Sequence, residues 1–139
     1  MWRAWTDGAA RKGADDEWHA GVGVVMFRER DPDSRRESAF HICGCTSQRA
    51  ELEAVIEAIE MVAPGERLHV ETDSQYVVSG MYGAWNLSAK NKSVWDKLRR
   101  LSSKRDVEYT HIPRCSGPEA VAVDRLAKHA MRMKCDSDT

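Results

Sequence analysis

The sequence predicts an α/β fold built on a mixed sheet, and three features point to it. Three β-patterned stretches up to Cys43 are separated only by loops, which makes an antiparallel meander. From Gln48 to Val62 the apolar spacing becomes that of a helix, and Arg67 to Thr72 then reads as a strand again. A strand–helix–strand order demands a crossover, so the first and fourth strands should run parallel.

Residues 2–6 form the first strand, with Trp2, Ala4 and Thr6 on one side and Arg3 and Trp5 on the other. Gly8 and Gly13 bracket a loop from Ala9 to Lys12. Residues 18–27 are the second strand, in which Gly21 and Gly23 suggest a bulge or a close backbone approach. The charged run Arg28 to Glu37, with Asp31-Pro32-Asp33-Ser34 inside it, reads as a solvated turn, and Ser38 to Cys43 as the returning strand. On the first helix Leu52, Val55, Ile56, Ile59 and Val62 make the apolar stripe, with Thr46 or Ser47 as N-cap and Ala63-Pro64-Gly65 as the stop. Ser74–Gly80 and Val94–Leu101 are short helices flanking an aromatic and basic loop from Met81 to Lys92. Val107–Ile112 is the fifth strand and Glu119–Met133 the last helix, with Val123, Ala127 and Ala130 as its buried stripe. Residues 134–139 are expected to fray.

At 139 residues the chain is expected to be one domain, 1–139, long enough to bury about 68–70% of its extended surface. Charged residues make up 31% and the net charge is -1. The totals therefore imply no global attraction to nucleic acid, and a basic partner face has to be local. No apolar stretch nears the roughly 20 residues of a membrane span. The absence of a signal-like N-terminal run and of C-x-x-C spacing points to a reduced, cytoplasmic protein, with a Cys43–Cys115 or Cys45–Cys135 bridge left open.

Four carboxylates ask for an explanation. Asp7 and Asp73 follow the first and fourth strands, and if those strands are neighbours the two acids meet at their C-terminal ends, where open α/β sheets place ligands. Glu51 lies in line with Val55, Ala58 and Val62, and Asp124 sits beside Val123 and one turn before Ala127. Taken singly each has an ordinary reading: Asp7 as a turn residue, Glu51 as an amphipathic-boundary residue, Asp124 as a helix-N-terminal acid favoured by the macrodipole. Taken together, carboxylates about 5 Å apart at an effective dielectric of 20 repel by roughly 3 kcal/mol per pair. Such a cluster needs cations or raised pKa values. All-oxygen ligation selects Mg²⁺ or Mn²⁺, and paired metals on acids serve in-line phosphodiester hydrolysis.

The segments Thr6-Asp7-Gly8-Ala9, Gln48-Arg49-Ala50-Glu51-Leu52-Glu53-Ala54, Glu71-Thr72-Asp73-Ser74-Gln75-Tyr76-Val77 and Val123-Asp124-Arg125-Leu126-Ala127 resemble, in order and spacing, the four acid-bearing motifs of type 1 ribonuclease H. The resemblance implies a ribonuclease H-like five-stranded mixed sheet of order 3-2-1-4-5 with helices on both faces. It also implies cleavage of the RNA strand of RNA–DNA hybrids with two divalent metals, Mg²⁺ or Mn²⁺, leaving a 3′-hydroxyl and a 5′-phosphate. Asp7, Glu51, Asp73 and Asp124 would then be catalytic metal ligands. Gly8, Gln48 and Gln75 would touch the hybrid in its minor groove, where 2′-hydroxyls distinguish RNA. Thr46 resembles part of a pocket for a DNA-strand phosphate, and is equally an N-cap candidate. A monomer with no obligatory protein partner and no membrane association is expected.

Two departures from the family pattern bear on mechanism. Many members carry a His ten residues before the last acid, where this chain has Arg114. Arginine stays protonated, so it cannot shuttle a proton but can hold the scissile phosphate or the departing 5′-phosphate. His111 is either structural or brought in by a rearranged loop, and Ala120 stands where the family has a loop Asn. The Lys- and Trp-rich protrusion of bacterial members is short here, from Gly80 to Trp95. Trp85, Lys90, Lys92 and Trp95 either grip the DNA strand through phosphate contacts, or Trp95 packs in the core and the lysines are merely solvated. Weak substrate binding is the expected consequence. Two alternatives stand against the ribonuclease: a junction resolvase or integrase-like nuclease on the same scaffold, and a catalytically weakened hybrid-binding module.

Overall fold

The computed structural model describes residues 1–82 and 90–133. Trp85 and the tail 134–139, for which substrate contact and fraying were expected, lie outside the described residues. The chain runs β1 (Trp2–Lys12), β2 (Trp18–Arg28), β3 (Asp31–Cys43), α1 (Ser47–Glu60), β4 (Leu68–Thr72), α2 (Gln75–Tyr82), α3 (Lys92–Ser103), β5 (Val107–His111) and α4 (Pro118–Met131). The strands form a mixed sheet of order β3-β2-β1-β4-β5, as expected. β1 is antiparallel to β2 and parallel to β4, and β4 is parallel to β5.

Apolar side chains on both faces of β1 and β2 explain why helices cover both sides. Trp2, Ala4, Val24 and Met26 pack with Leu52, Val55 and Ile59 of α1 and with Trp95 and Leu98 of α3. On the opposite face Trp5 and Val25 pack with Ala120 and Val123 of α4. Burying one such large apolar side chain contributes about 1.5–3 kcal/mol. Trp95 is 1% exposed and donates its indole N–H to the Tyr76 hydroxyl at 2.8 Å, so of its two expected roles the core one holds. Gly21 marks the close approach that its position suggested. A Cβ there would lie 1.9 Å from the Ala127 carbonyl oxygen, so α4 can settle on β2 only over a glycine.

Several boundaries differ from the sequence reading. β1 does not stop at Thr6 but continues through Asp7 and Gly8 to Lys12, because β2 goes on pairing with it as far as Lys12↔Trp18. Its pairing with β4 ends at Thr6↔Thr72. Asp7 therefore follows the last residue at which β1 has a neighbour on both sides. The expected turn Arg28–Glu37 shrinks to Glu29 and Arg30, with Arg30 at φ 67°, and Pro32 lies within β3. That strand is at the sheet edge, where a missing N–H is tolerated. The bulge falls between Met26 and Arg28 rather than at Gly21 or Gly23. Pro118 opens α4, so Ala120 is a buried helical residue and not part of a loop. Cys43 is disulfide-bonded while Cys45 and Cys115 are free, so neither Cys43–Cys115 nor Cys45–Cys135 forms.

Candidate active site

Three elements deliver one carboxylate each to the same point. Asp7 sits on β1 just past the end of the β4 pairing, Asp73 directly follows β4, and Glu51 comes from the second turn of α1. Each offers an oxygen, and the three lie within 4.8 Å of one another. Gly8 makes the approach possible: a Cβ on it would lie 2.5 Å from the Ala50 carbonyl carbon and the Glu51 nitrogen. Its N–H donates to Asp7 Oδ1 at 3.0 Å and to Glu51 Oε1 at 3.1 Å, which ties strand and helix together at the acids. Asp73 is held from its C-terminal side. Ser74 donates its N–H to the Thr72 hydroxyl at 3.0 Å, and its own hydroxyl accepts the Val77 N–H at 3.2 Å, capping α2.

Asp124 closes the other side of a cleft of ≈ 380 Å³ that the three acids, Gly8, Arg114 and Lys128 also line. It is the seventh residue of α4, too far from the helix start for the macrodipole to account for it. Its partners are cations: Lys128 at 3.1 Å and Arg114 at 3.6 Å. Arg114 reaches it from the loop after β5 and is largely exposed. His111, the last residue of β5, is also exposed.

The electrostatics divide the site. Burial, with the Asp73 charge adding to it, pushes the Asp7 carboxyl up to about 7. Burial and then the neighbouring Asp7 hold Glu51 well above the usual carboxylate range. Asp73 is raised by burial, against the opposing pull of Arg114. Glu51 Oε2 is buried without a hydrogen-bond partner among the described residues. An orphaned carboxylate oxygen beside two further acids fits a hard divalent cation, which accepts oxygen-only ligands and offsets the burial and the repulsion that raise these groups.

Of the residues expected to touch substrate, Gly8 lines this cleft, and Thr46, Gln48 and Gln75 are not among its lining residues. Thr46 occupies the N-cap position of α1 in extended geometry, yet its side chain makes no capping hydrogen bond. Gln48, in the first turn of α1, is exposed. Gln75 begins α2, exposed, with its amide nitrogen donating to the Ser79 hydroxyl at 2.7 Å. Lys128 lines the cleft and pairs with Asp124, a placement that the sequence reading did not single out. The available signal was its i+4 spacing from Asp124 on a helix, which puts an ammonium beside the carboxylate.

Comparison with known proteins agrees with this architecture. The RNase H family model matches residues 2–132. Among curated relatives, the ribonuclease H of Ruegeria sp. (strain TM1040) is 34% identical over 92% of this chain and 89% of its own length. LC11-RNase H1, solved in complex with an RNA/DNA hybrid, superposes with a TM-score of 0.78 at 26% identity, over 94% of this chain and 96% of that one. RNase H1 from the halophilic archaeon Halobacterium salinarum NRC-1 gives a TM-score of 0.76 at 28% identity, over 93% and 96%. A match from residue 2 to residue 132, with relatives aligned along nearly their whole length, places this chain in the ribonuclease H family.

Proposed function

We propose that this chain is an endoribonuclease that hydrolyses the RNA strand of RNA–DNA hybrids, leaving a 3′-hydroxyl and a 5′-phosphate. The observation that carries the proposal is the convergence of Asp7, Glu51 and Asp73 within 4.8 Å, with Asp124 across the same cleft. Mg²⁺ or Mn²⁺ fits this oxygen-only donor set, with Asp7, Glu51, Asp73 and Asp124 as the ligands. When bound, two such ions activate a water and stabilise the leaving oxygen of an in-line displacement.

The chain's own residues have distinct tasks in this reading. Gly8 orients Asp7 and Glu51 through its N–H, so their oxygens face a common point before any ligand arrives. Arg114, always protonated, replaces the family's histidine as an electrostatic clamp on the scissile or departing phosphate and moves no proton. Lys128 holds Asp124 on the α4 side until the site is filled. The Gln48 and Gln75 amides and the Gly8 backbone face the hybrid's minor groove, where 2′-hydroxyls are offered. Thr46, whose hydroxyl is not used as a cap, contributes to holding a DNA-strand phosphate. Residues 1–139 act as a single monomeric domain on the hybrid.

Cleavage of a labelled hybrid with Mg²⁺ or Mn²⁺ tests the proposal, beside single-stranded RNA, double-stranded RNA and DNA. Cutting confined to the RNA strand of the hybrid, and lost in Asp73→Asn, is expected. Hybrid binding without cutting would instead favour a binding module whose loop, with Arg114 in place of histidine, no longer supports catalysis.

A further inference from the structure

With a net charge of -1, any basic partner face has to be a local cluster, and α4 supplies one. Within this helix the exposed residues after Ala120 are Arg125 and His129, and exposed Arg132 follows at its C-cap. With the half-buried Lys128 they stand at i, i+3, i+4 and i+7. At 100° per residue these four positions fall on a single stripe. Among the described residues no carboxylate pairs with the Arg125 or Arg132 side chain. The helix macrodipole favours cations in the last turn. It does not account for Arg125, the eighth of the fourteen residues of α4.

The stripe is continuous with the acidic cleft, because Lys128 belongs to both: it lines the cleft and pairs with Asp124 at 3.1 Å. A polyanion leaving the acids on this side therefore meets Lys128 and then the unpaired guanidinium groups. Thr46, Gln48 and Gln75, to which the proposed function assigns hybrid contacts, ride on α1 and α2. α4 is the wall across from the inner acids. A double helix held from the α1 and α2 side is stiff on this scale, DNA having a persistence length of about 150 base pairs. It does not turn around the acids onto a second wall, whereas a single strand does.

We propose that the stripe of Arg125, Lys128, His129 and Arg132 holds the phosphate backbone of a single-stranded extension of the RNA strand where it leaves the hybrid. The preferred substrate is then a hybrid with an RNA overhang, an inference that rests on the proposed hybrid-cleaving function. Arginine matches phosphate with two parallel N–H donors. The stripe carries no Trp, Tyr or Phe on which a base could stack, so attachment runs through phosphates and is independent of sequence. An acidic peptide is the rival polyanion. Peptide and protein partners draw most of their affinity from buried anchors, and between Arg125 and Arg132 no large apolar side chain is exposed.

The test is fluorescence anisotropy of the full chain, with a chelator present, on three labelled substrates: a blunt hybrid and the same hybrid with a short oligouridine extension at the 5′ or the 3′ end of its RNA strand. An extension at one end should tighten binding by about fivefold or more at low salt, and steepen the fall of log K with log salt by about 0.7 for each phosphate neutralised. The double variant Arg125→Gln with Arg132→Gln should lose that gain and about 1.4 of the added slope. Its binding and Mg²⁺-dependent cutting of the blunt hybrid should be unchanged. No gain from either extension, equal gains from both, or a gain that survives the double variant would overturn the proposal. So would a glutamate-rich peptide that binds the stripe when the extensions do not, since the partner would then be a protein. Cutting of the blunt hybrid is scored separately: its absence counts against the proposed function, while the extensions report on the stripe through binding alone.

Discussion

The two sides of the acidic cleft hold the same kind of group in different company. Asp7, Glu51 and Asp73 face one another, two of them mostly buried by β1 and α1, and Glu51 Oε2 has no hydrogen-bond partner among the described residues. Across from them Asp124 is already ion-paired with Lys128 and Arg114. Burial raises the proton affinity of all three inner acids, and neighbouring carboxylates add to it, so a divalent cation gains most there. For Asp124 a metal would compete with cations already in place. Within the proposed function, the contrast makes the inner acids the primary metal locus and gives Asp124 a conditional role.

The largest test of that contrast is removal of an inner acid. Asp73→Asn should lower hybrid cleavage by roughly 10²–10³-fold or more, the scale on which loss of one preorganised electrostatic contact is felt, measured as single-turnover cleavage at saturating Mg²⁺. Next comes the pH dependence of the metal-free protein. Asp7 ordinarily loses its proton near 3.8 but keeps it to about 7 in the folded chain. Between those values the folded state binds the extra proton, so unfolding free energy falls as pH rises and levels off above about 7. Denaturant titrations should show this loss, on the order of a few kcal/mol, reduced in Asp7→Asn and reversed at high pH by added Mg²⁺.

The α4 side should respond differently. Arg114→Ala should slow cleavage by roughly tenfold or more, about 1.4 kcal/mol of transition-state stabilisation, and Arg114→Lys should recover only part of it because the planar fork is lost. If Arg114 instead serves only to neutralise Asp124, Lys should restore the rate in full. Lys128→Gln should lower the Mg²⁺ concentration for half-maximal activity by a few fold, since Asp124 loses its competing partner at 3.1 Å. An unchanged metal dependence would remove Lys128 from the site. The smallest effect belongs to Thr46→Ala. A working N-cap side chain is worth about 0.5–2 kcal/mol, and Thr46 makes no capping bond. Its loss should leave stability nearly unchanged while weakening hybrid binding, and a large fall in thermal stability would return Thr46 to the ordinary cap role.

Much of this molecule was legible in its residues. The switch from strand to helical spacing at Gln48 and back at Arg67 announced the crossover, because burial requires each period to match its element. The crossover in turn placed Asp73 beside β1, and the i, i+4, i+7 line through Glu51, Val55 and Ala58 turned Glu51 toward the sheet. These are local rules acting on local sequence. What they missed were choices made by neighbours. β1 runs on past Asp7 only because β2 continues to pair with it, and Pro32 belongs to a strand only because that strand lies at the edge. Ion pairing of Asp124 with Arg114 depends on where the loop after β5 returns. Sequence alone determined which carboxylates this protein has to offer and on which elements they ride, since periodicity and turn chemistry are written residue by residue. Only the tertiary structure decided which of them stand without a cation, because that depends on distances between groups far apart in the chain.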